Sequence, residues 1–415
     1  MAIFLTIDDL DFTGKTVILR PDFNVPVDPG TGEIIDDSRI REHAETVREL
    51  SDKGARIVIL AHQGRPGERD YLESLRRHAE KLSEILGFKV GYVDDLVGDA
   101  ALEAISKLKP GEVLLLKNVR SHPDEGREAP PEEHARSEIV SKLSRVADIF
   151  VLDGFSVAHR SHASVVGFAY TLPSCAGRVM ERELKALDRV LENPEKPFVC
   201  ILGGAKSEKS TSMIDYFLAK GLADYILTGG LIGQLLLLAR GFDLGSINVR
   251  VLERRGFLKF KDEAVRILEK YDGKVKMPID VAVDMDGRRV EIPVEDLPSS
   301  YPIMDIGHRT IEMYRRIISE ARSILVSGPL GVYEDNRFID GTSEVYRAVA
   351  SSGAYRIGGG GDTVAALEKL GLRDRFSYVS LAGGAFVEYI SGGRLPGVEA
   401  LEIAYRRVKQ AGWSK

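Results

Sequence analysis

The chain reads as an α/β protein of two doubly wound, Rossmann-like domains with parallel sheets, joined by a helix. Three observations predict this. Short apolar runs alternate with longer amphipathic segments along almost the whole sequence, as in the strand–helix units that build parallel sheets. The length, 415 residues, exceeds one ordinary domain and suits two. Near the middle, a charged helical segment runs into Asn193-Pro194-Glu195-Lys196-Pro197, where the prolines end any helix.

In the first half, residues 16–19, 56–61, 113–116 and 149–152 are short apolar runs of the kind buried on both faces of a parallel sheet. Residues 38–51, 71–86, 99–108 and 132–146 between them read as helices. In the second half, strands are predicted at 198–202, 225–227, 323–326, 355–357 and 378–381. Helices are predicted there at 212–220, 231–239, 259–270, 309–321, 342–350 and 363–370. Residues 284–302 are turn-rich and read as a small β excursion, and residues 398–409 read as a last helix. The predicted organisation is therefore a first domain over 1–177, a linker over 178–196 with a charged, exposed helix at 181–191, a second domain over 197–394, and a closing segment over 395–415.

Composition narrows the function. A net charge of −6 disfavours nonspecific nucleic-acid binding, and no apolar run reaches membrane-spanning length. The first ten residues lack the features of a signal peptide. Cys175 and Cys200 form no CxxC pair, so a reducing, cytoplasmic setting is expected. Glutamine occurs only at Gln63, Gln234 and Gln410 while charged residues are plentiful, a bias that points to a thermophilic source.

Two groups of motifs look built to hold two anions. Three glycine turns follow strand ends in the second half: Gly203-Gly204-Ala205-Lys206, Gly328-Pro329-Leu330-Gly331, and Gly358 to Gly361 with Asp362-Thr363. Ligands of open α/β sheets bind beyond the carboxyl ends of the strands. Glycine lets backbone N–H groups approach phosphate oxygens, and a helix N-terminus favours anions. Lys206 offers a cation for a transferring phosphoryl group. Asp362 beside an anion site suggests Mg²⁺, and it also suits the N-cap of the following helix. Glu334, after the second turn, suits ribose hydroxyls. One such turn alone would be an ordinary strand-to-helix connection; three are harder to assign to coincidence.

In the first half, Asp22 and Asn24 follow a strand end, Arg39, His62, Arg65, Arg120 and Arg160 belong to an arginine and histidine basin, and the cations after successive strand ends would converge on one rim. Arginine suits bidentate contacts to carboxylate and phosphate. Asp22 could accept a substrate hydroxyl, although Asp-Phe-Asn-Val-Pro is also an ordinary turn. His159 and His162 flank Arg160 without the carboxylate or cysteine neighbours of a metal site. No GxxxxGK[ST] loop, no GxGxxG and no protein-kinase signature is present.

At these residues the chain resembles the phosphoglycerate kinase family essentially from end to end. The family's R-x-D-F-N-V-P is matched by residues 20–26, its S-H-x-G-R-P by 61–66, its N-x-R by 118–120 and its D-x-F-x-x-A-H-R-x-H-x-S by 153–164. Its G-G-A-K, D-I-G-x-x-T, G-P-x-G-V-[FY]-E, G-G-G-D-T and L-P-G-V segments are also present. The resemblance implies reversible phosphoryl transfer between 1,3-bisphosphoglycerate and ADP by hinge closure, with the C-terminal segment returning to the first domain. It implies that Asp22, Asn24, Arg39, His62, Arg65, Arg120 and Arg160 bind phosphoglycerate, and that Arg39 and Lys206 stabilise the transferring group. Gly204, Ala205, Lys206, Gly307, Glu334, Gly359, Gly360, Gly361, Asp362 and Thr363 would contact ATP or ADP, with Asp362 near Mg²⁺. A monomer without nucleic-acid or membrane partners is expected.

Some positions depart from the family. Lys209 follows Lys206 by three residues rather than four. Ser327 replaces the asparagine of N-G-P, and Ser380-Leu381-Ala382-Gly383-Gly384-Ala385 replaces S-T-G-G-G-A. These departures leave open a noncatalytic nucleotide- or metabolite-binding protein of the same fold. The missing GxGxxG weighs against an NAD-dependent dehydrogenase.

Overall fold

The computed structural model describes residues 3–205 and 209–410. Its chain divides into two compact units. Residues up to Lys185, with those from Arg394 onward, form the first, and Ala186–Gly393 forms the second. The division falls inside the helix Arg178–Leu191. That helix was expected to be exposed. Instead Val179, Met180, Leu184, Leu187 and Val190 are buried, and so are Glu181, Glu183 and Asp188; within the helix the exposed positions are Arg182, Lys185 and Arg189.

The first unit holds β1 (Thr16–Arg20), β2 (Arg56–Ile59), β3 (Val90–Tyr92), β4 (Val113–Leu115), β5 (Ile149–Leu152) and β6 (Ser174–Ala176). They form one sheet in the order β3-β4-β2-β1-β5-β6, with every pairing parallel. β1 lies at its centre, every residue buried, as a strand covered on both faces must be. Chain order reverses between β1 and β5, so the crevice beyond their carboxyl ends is where this sheet type takes a ligand. Val17, Leu19, Ile57, Ile59, Leu115 and Val151 anchor its core. The helix Pro396–Gln410 belongs to this unit: Gly397 N–H donates to Ala158 O at 2.8 Å, and Arg407 donates to Ala169 O at 2.7 Å.

The second unit repeats the plan with β7 (Phe198–Leu202), β8 (Tyr225–Thr228) and β9 (Val275–Lys276) on one side. A separate antiparallel sheet follows from β10 (Asp280–Met285), β11 (Arg288–Pro293) and β12 (Ile303–Ile306), in the order β11-β10-β12. Then come β13 (Ser323–Ser327), β14 (Tyr355–Gly359) and β15 (Tyr378–Ser380). The parallel order is β15-β14-β13-β7-β8-β9, and its switch point lies between β7 and β13.

Several expected helices differ. The helix expected from residue 71 begins at Arg76, because the backbone at Asp70-Tyr71 lies against Gly64; a Cβ there would meet Tyr71 at 2.5 Å. Residues 132–146 form two short helices, Pro131–His134 and Glu138–Leu143, the second capped by the Ser137 hydroxyl. The β excursion starts at Asp280, earlier than expected, and β3, β6, β9 and the helix Ser246–Arg254 had no clear signal. No helix among the described residues is long and apolar enough to cross a membrane.

Candidate active site

In the first unit the chain leaves β1 at Arg20 and turns at once through Asp22 and Asn24. Asp22 is buried, and its carboxylate accepts from the Arg39 guanidinium, the Ser156 hydroxyl and, at 3.0 Å, Asn24 N–H. Burial alone would raise its pKa; Arg39, His62 and these donors outweigh burial and hold the group well below the usual carboxylate range. Asn24 Oδ1 accepts from Gly64 N–H at 2.7 Å, so it ties the turn after β1 to the turn after β2. Gln63 grips the same turn, accepting from Val25 N–H and donating to Val25 O, each at 3.0 Å.

The expected cations converge. Arg20 is 1% exposed and spends its donors on Ser164 Oγ at 2.7 Å, Pro21 O, and His62 Nδ1 at 3.2 Å. Arginine cannot supply an acceptor, so His62 Nδ1 takes the hydrogen bond and the ring proton sits on Nε2. Burial pushes the His62 pKa down; Asp22 opposes this, and Arg20, Arg120 and His162 reinforce it. Burial, Arg20 and Arg65 push Arg120 down to about 10, and Arg120 also donates to Gly64 O at 2.6 Å. His162 falls to about 3 through burial and the nearby Arg20, Arg120 and Arg160. Beneath them, buried Glu125 accepts from Ser164 N–H at 2.8 Å and lies 4.0 Å from Arg20. Side-chain exposure separates the roles. Arg39 and Arg65 keep 30% and 56% of their side chains exposed, whereas Arg20 is enclosed.

In the second unit the glycine turns are bonded into one cradle. Gly203 N–H donates to Ser327 O at 3.0 Å, and Gly204 N–H to Pro329 O at 2.7 Å. Leu231 N–H reaches Gly204 O at 3.1 Å. The approach leaves no space for a side chain: a Cβ on Gly203 would meet Pro329 O at 2.1 Å. Gly328, at φ +96°, donates its N–H to Thr363 Oγ1 at 2.7 Å, which joins the second turn to the third.

A cavity of about 460 Å³ opens beside this cradle. Of the residues expected to contact nucleotide, Gly204, Ala205, Glu334 and Asp362 line it, together with apolar Leu231, Val281, Ile306 and Val332. Gly307 follows Ile306 directly and caps the helix His308–Glu320. Gly359 packs on Phe386, where a Cβ would meet the ring at 2.6 Å. Gly360, at φ +93°, is the N-cap of the helix Gly361–Lys369. Asp362 is therefore in the first helical turn and is not the cap; its charge still suits the positive end of the helix. Lys206 lies outside the described residues. Lys209, displaced by one position from the family spacing, pairs with Glu388.

Arg20, Ser156, Gln63 and Glu125 carry site geometry without having been assigned a role from sequence. Arg20 is visible in the sequence as the start of the 20–26 motif at the end of an apolar strand, though not as the buried support of His62. Gln63 and Glu125 offer no local signal, since their partners lie 38 and 39 residues away.

The first parallel-sheet unit thus carries an arginine and histidine basin, and the second a glycine-walled cavity at its switch point. A family model described as phosphoglycerate kinase matches residues 7–393. A phosphoglycerate kinase of Methanothermus fervidus is 43% identical over 404 residues, 97% of this chain and 98% of that protein. One of Methanobacterium bryantii is 46% identical over 398 residues, 96% and 97% of the two chains. The crystal structure of phosphoglycerate kinase from Pyrococcus horikoshii superposes with a TM-score of 0.87 at 40% identity, covering 97% of this chain and 100% of that one. The chain belongs to the phosphoglycerate kinase family and is a kinase that transfers phosphate to a carboxyl group.

Proposed function

We propose that the protein transfers a phosphoryl group reversibly between 1,3-bisphosphoglycerate and Mg·ADP, giving 3-phosphoglycerate and Mg·ATP, as a monomer in the cytoplasm. The observation that carries the reading is the crowding of like charge in the basin. Burial depresses the pKa values of Arg120 and His162, and the cations close by depress them further. A ligand with phosphate and carboxylate groups relieves that repulsion, and perturbed groups of this kind mark functional sites. Asp22, Asn24, His62, Arg65, Arg120 and Arg160 take phosphoglycerate in this reading. Arg39 and Lys206 neutralise the charge on the transferring group, the main task of a protein in phosphoryl transfer.

ADP or ATP takes the cavity between Gly204-Ala205 and Glu334, with its phosphates toward the N-terminus of Gly361–Lys369. Gly307, Gly359, Gly360, Gly361 and Thr363 stand at the strand and helix ends beside the cavity and shape the turns there, not its walls. Mg²⁺ is commonly held by one or two carboxylates together with substrate phosphates, and Asp362 on the cavity wall fits as the protein's carboxylate. The ion would supply charge neutralisation for the substrate phosphates. The acyl phosphate is already activated, so the ATP-forming direction needs no general base. The two sets of residues belong to different units, so the reaction requires hinge closure to bring the substrates in line and exclude water.

The test is ADP formation from Mg·ATP with and without 3-phosphoglycerate, at moderate and elevated temperature, with Lys206→Ala as control. Turnover that depends on 3-phosphoglycerate and collapses in the variant supports the reading. Binding of both ligands without turnover would instead favour a noncatalytic binding protein of the same fold.

A further inference from the structure

Arg39 and His43 stand one turn apart on the helix Ser38–Asp52, and both reach Asp22. Arg39 takes the carboxylate. His43 takes the backbone: Asp22 N–H donates to His43 Nε2 at 3.1 Å. The other ring nitrogen, Nδ1, lies 2.6 Å from Asp153 Oδ2, and both side chains are at most 3% exposed. Asp153 is fixed in turn by the Thr46 hydroxyl at 3.0 Å and by Val179 N–H, in the first turn of Arg178–Leu191, at 2.9 Å. The Phe23 ring packs edge-on against the imidazole, with 6.1 Å between ring centres. The main chain also packs closely on Asp153: Gly177 must lack a side chain because a Cβ there would meet the Asp153 carboxylate at 2.1 Å.

An amide N–H can only donate, so Nε2 must present a lone pair and the ring proton must sit on Nδ1, facing Asp153. Burial lowers the His43 pKa and Asp153 raises it, with a net rise. The Asp22 N–H aimed at Nε2 nevertheless excludes a second ring proton while the contact is made.

We infer that His43, oriented by Asp153, is a positioning residue for phosphoglycerate binding: it holds the main chain of Asp22 so that the Asp22 carboxylate and the Arg39 guanidinium meet the substrate in register. A backbone that turns immediately after a strand has no ladder partner for its N–H, and a buried N–H left unpaired is unfavourable. The imidazole supplies that partner. Arg39 and Asp22 already engage one another, so a shift of the Asp22 main chain moves both substrate-facing groups together. The inference rests on the phosphoglycerate reading of the basin.

The experiment compares His43→Ala, His43→Asn and His43→Gln by steady-state kinetics with each substrate varied, and by calorimetric titration with 3-phosphoglycerate alone. Asparagine keeps a donor for Asp153 but offers no acceptor where Nε2 stands; glutamine places an acceptor there. The Ala and Asn variants are expected to raise KM and Kd for 3-phosphoglycerate about ten-fold, with KM for Mg·ATP unchanged. Gln is expected to recover most of that loss. Values within two-fold of wild type for Asn, equal losses for both substrates, or a Gln variant no better than Asn each overturn the inference. If His43→Ala does not fold, the contrast of Asn with Gln decides alone. If wild-type turnover does not depend on 3-phosphoglycerate, the functional reading fails instead, and the wild-type control separates that result from failure at His43.

Discussion

Thr363, in the first turn of the helix Gly361–Lys369, accepts the Gly328 N–H through its buried hydroxyl at 2.7 Å. This bond fastens the turn after β13 to the turn after β14. Replacing Thr363 by Ala leaves a backbone donor unpaired, a loss typically of about 1–3 kcal/mol. We expect Thr363→Ala to raise KM for Mg·ATP several-fold and lower the denaturation midpoint, with KM for 3-phosphoglycerate unchanged. Thr363→Ser should restore most of both. Denaturant melts and substrate-specific KM values check this; an Ala variant with wild-type nucleotide affinity would count against the cradle.

Gly203 faces the carbonyl of Pro329 too closely for any side chain. Gly203→Ala should force the two turns apart, destabilise the second unit by about 1–3 kcal/mol as overpacking does, and weaken ADP binding. Calorimetric titration with ADP, run beside thermal melting, reads both effects.

Arg39 pairs with buried Asp22 yet keeps 30% of its side chain exposed. Arg39→Ala should lower kcat by roughly 10²–10³, the usual effect of losing one preorganised charge donor, and should also lower Tm because Asp22 loses its cation. Arg39→Lys should recover part of the stability and little of the rate, since an ammonium cannot reproduce the guanidinium fork. Single-turnover rates together with melting curves distinguish these outcomes.

His162 remains neutral in the folded state down to about pH 3, whereas an unfolded histidine titrates near 6.5. The folded pKa is depressed, so the unfolded chain binds the extra proton as pH falls. The contribution to stability is fully present above about 6.5 and is lost progressively toward 3. His162→Asn should flatten the fall in unfolding free energy between pH 6.5 and 5 by up to about 1.4 kcal/mol per pH unit. Urea titrations across that range measure the slope, and an unchanged slope would mean that His162 does not carry it.

Most of the sheet architecture was legible because a parallel strand buried on both faces must be apolar throughout: β1, β2, β4, β5, β7 and β13 announce themselves in this way. Edge strands do not. β3 is Val-Gly-Tyr and β9 only Val-Lys, too short for any period, and Arg288–Pro293 carries charges because most of it is only partly buried. The burial of Arg178–Leu191 is hidden in the sequence because its charged residues are as numerous as its apolar ones, although the apolar ones fall on one face. The site motifs were visible as cations and glycines at strand ends. Their supports were not: His43 on its helix looks like any surface histidine until Asp153, 110 residues away, is brought beside it.

The return of the helix Pro396–Gln410 to the first unit has a consequence for synthesis. The second unit is one uninterrupted stretch of chain, whereas the first is assembled from two. The first unit is begun first and completed last. Until residue 397 emerges, the carbonyl of Ala158, on the segment that leads into Arg160, has no Gly397 N–H to accept, and Ala169 still awaits Arg407. The arginine and histidine basin is therefore completed by chain made after the whole of the second unit.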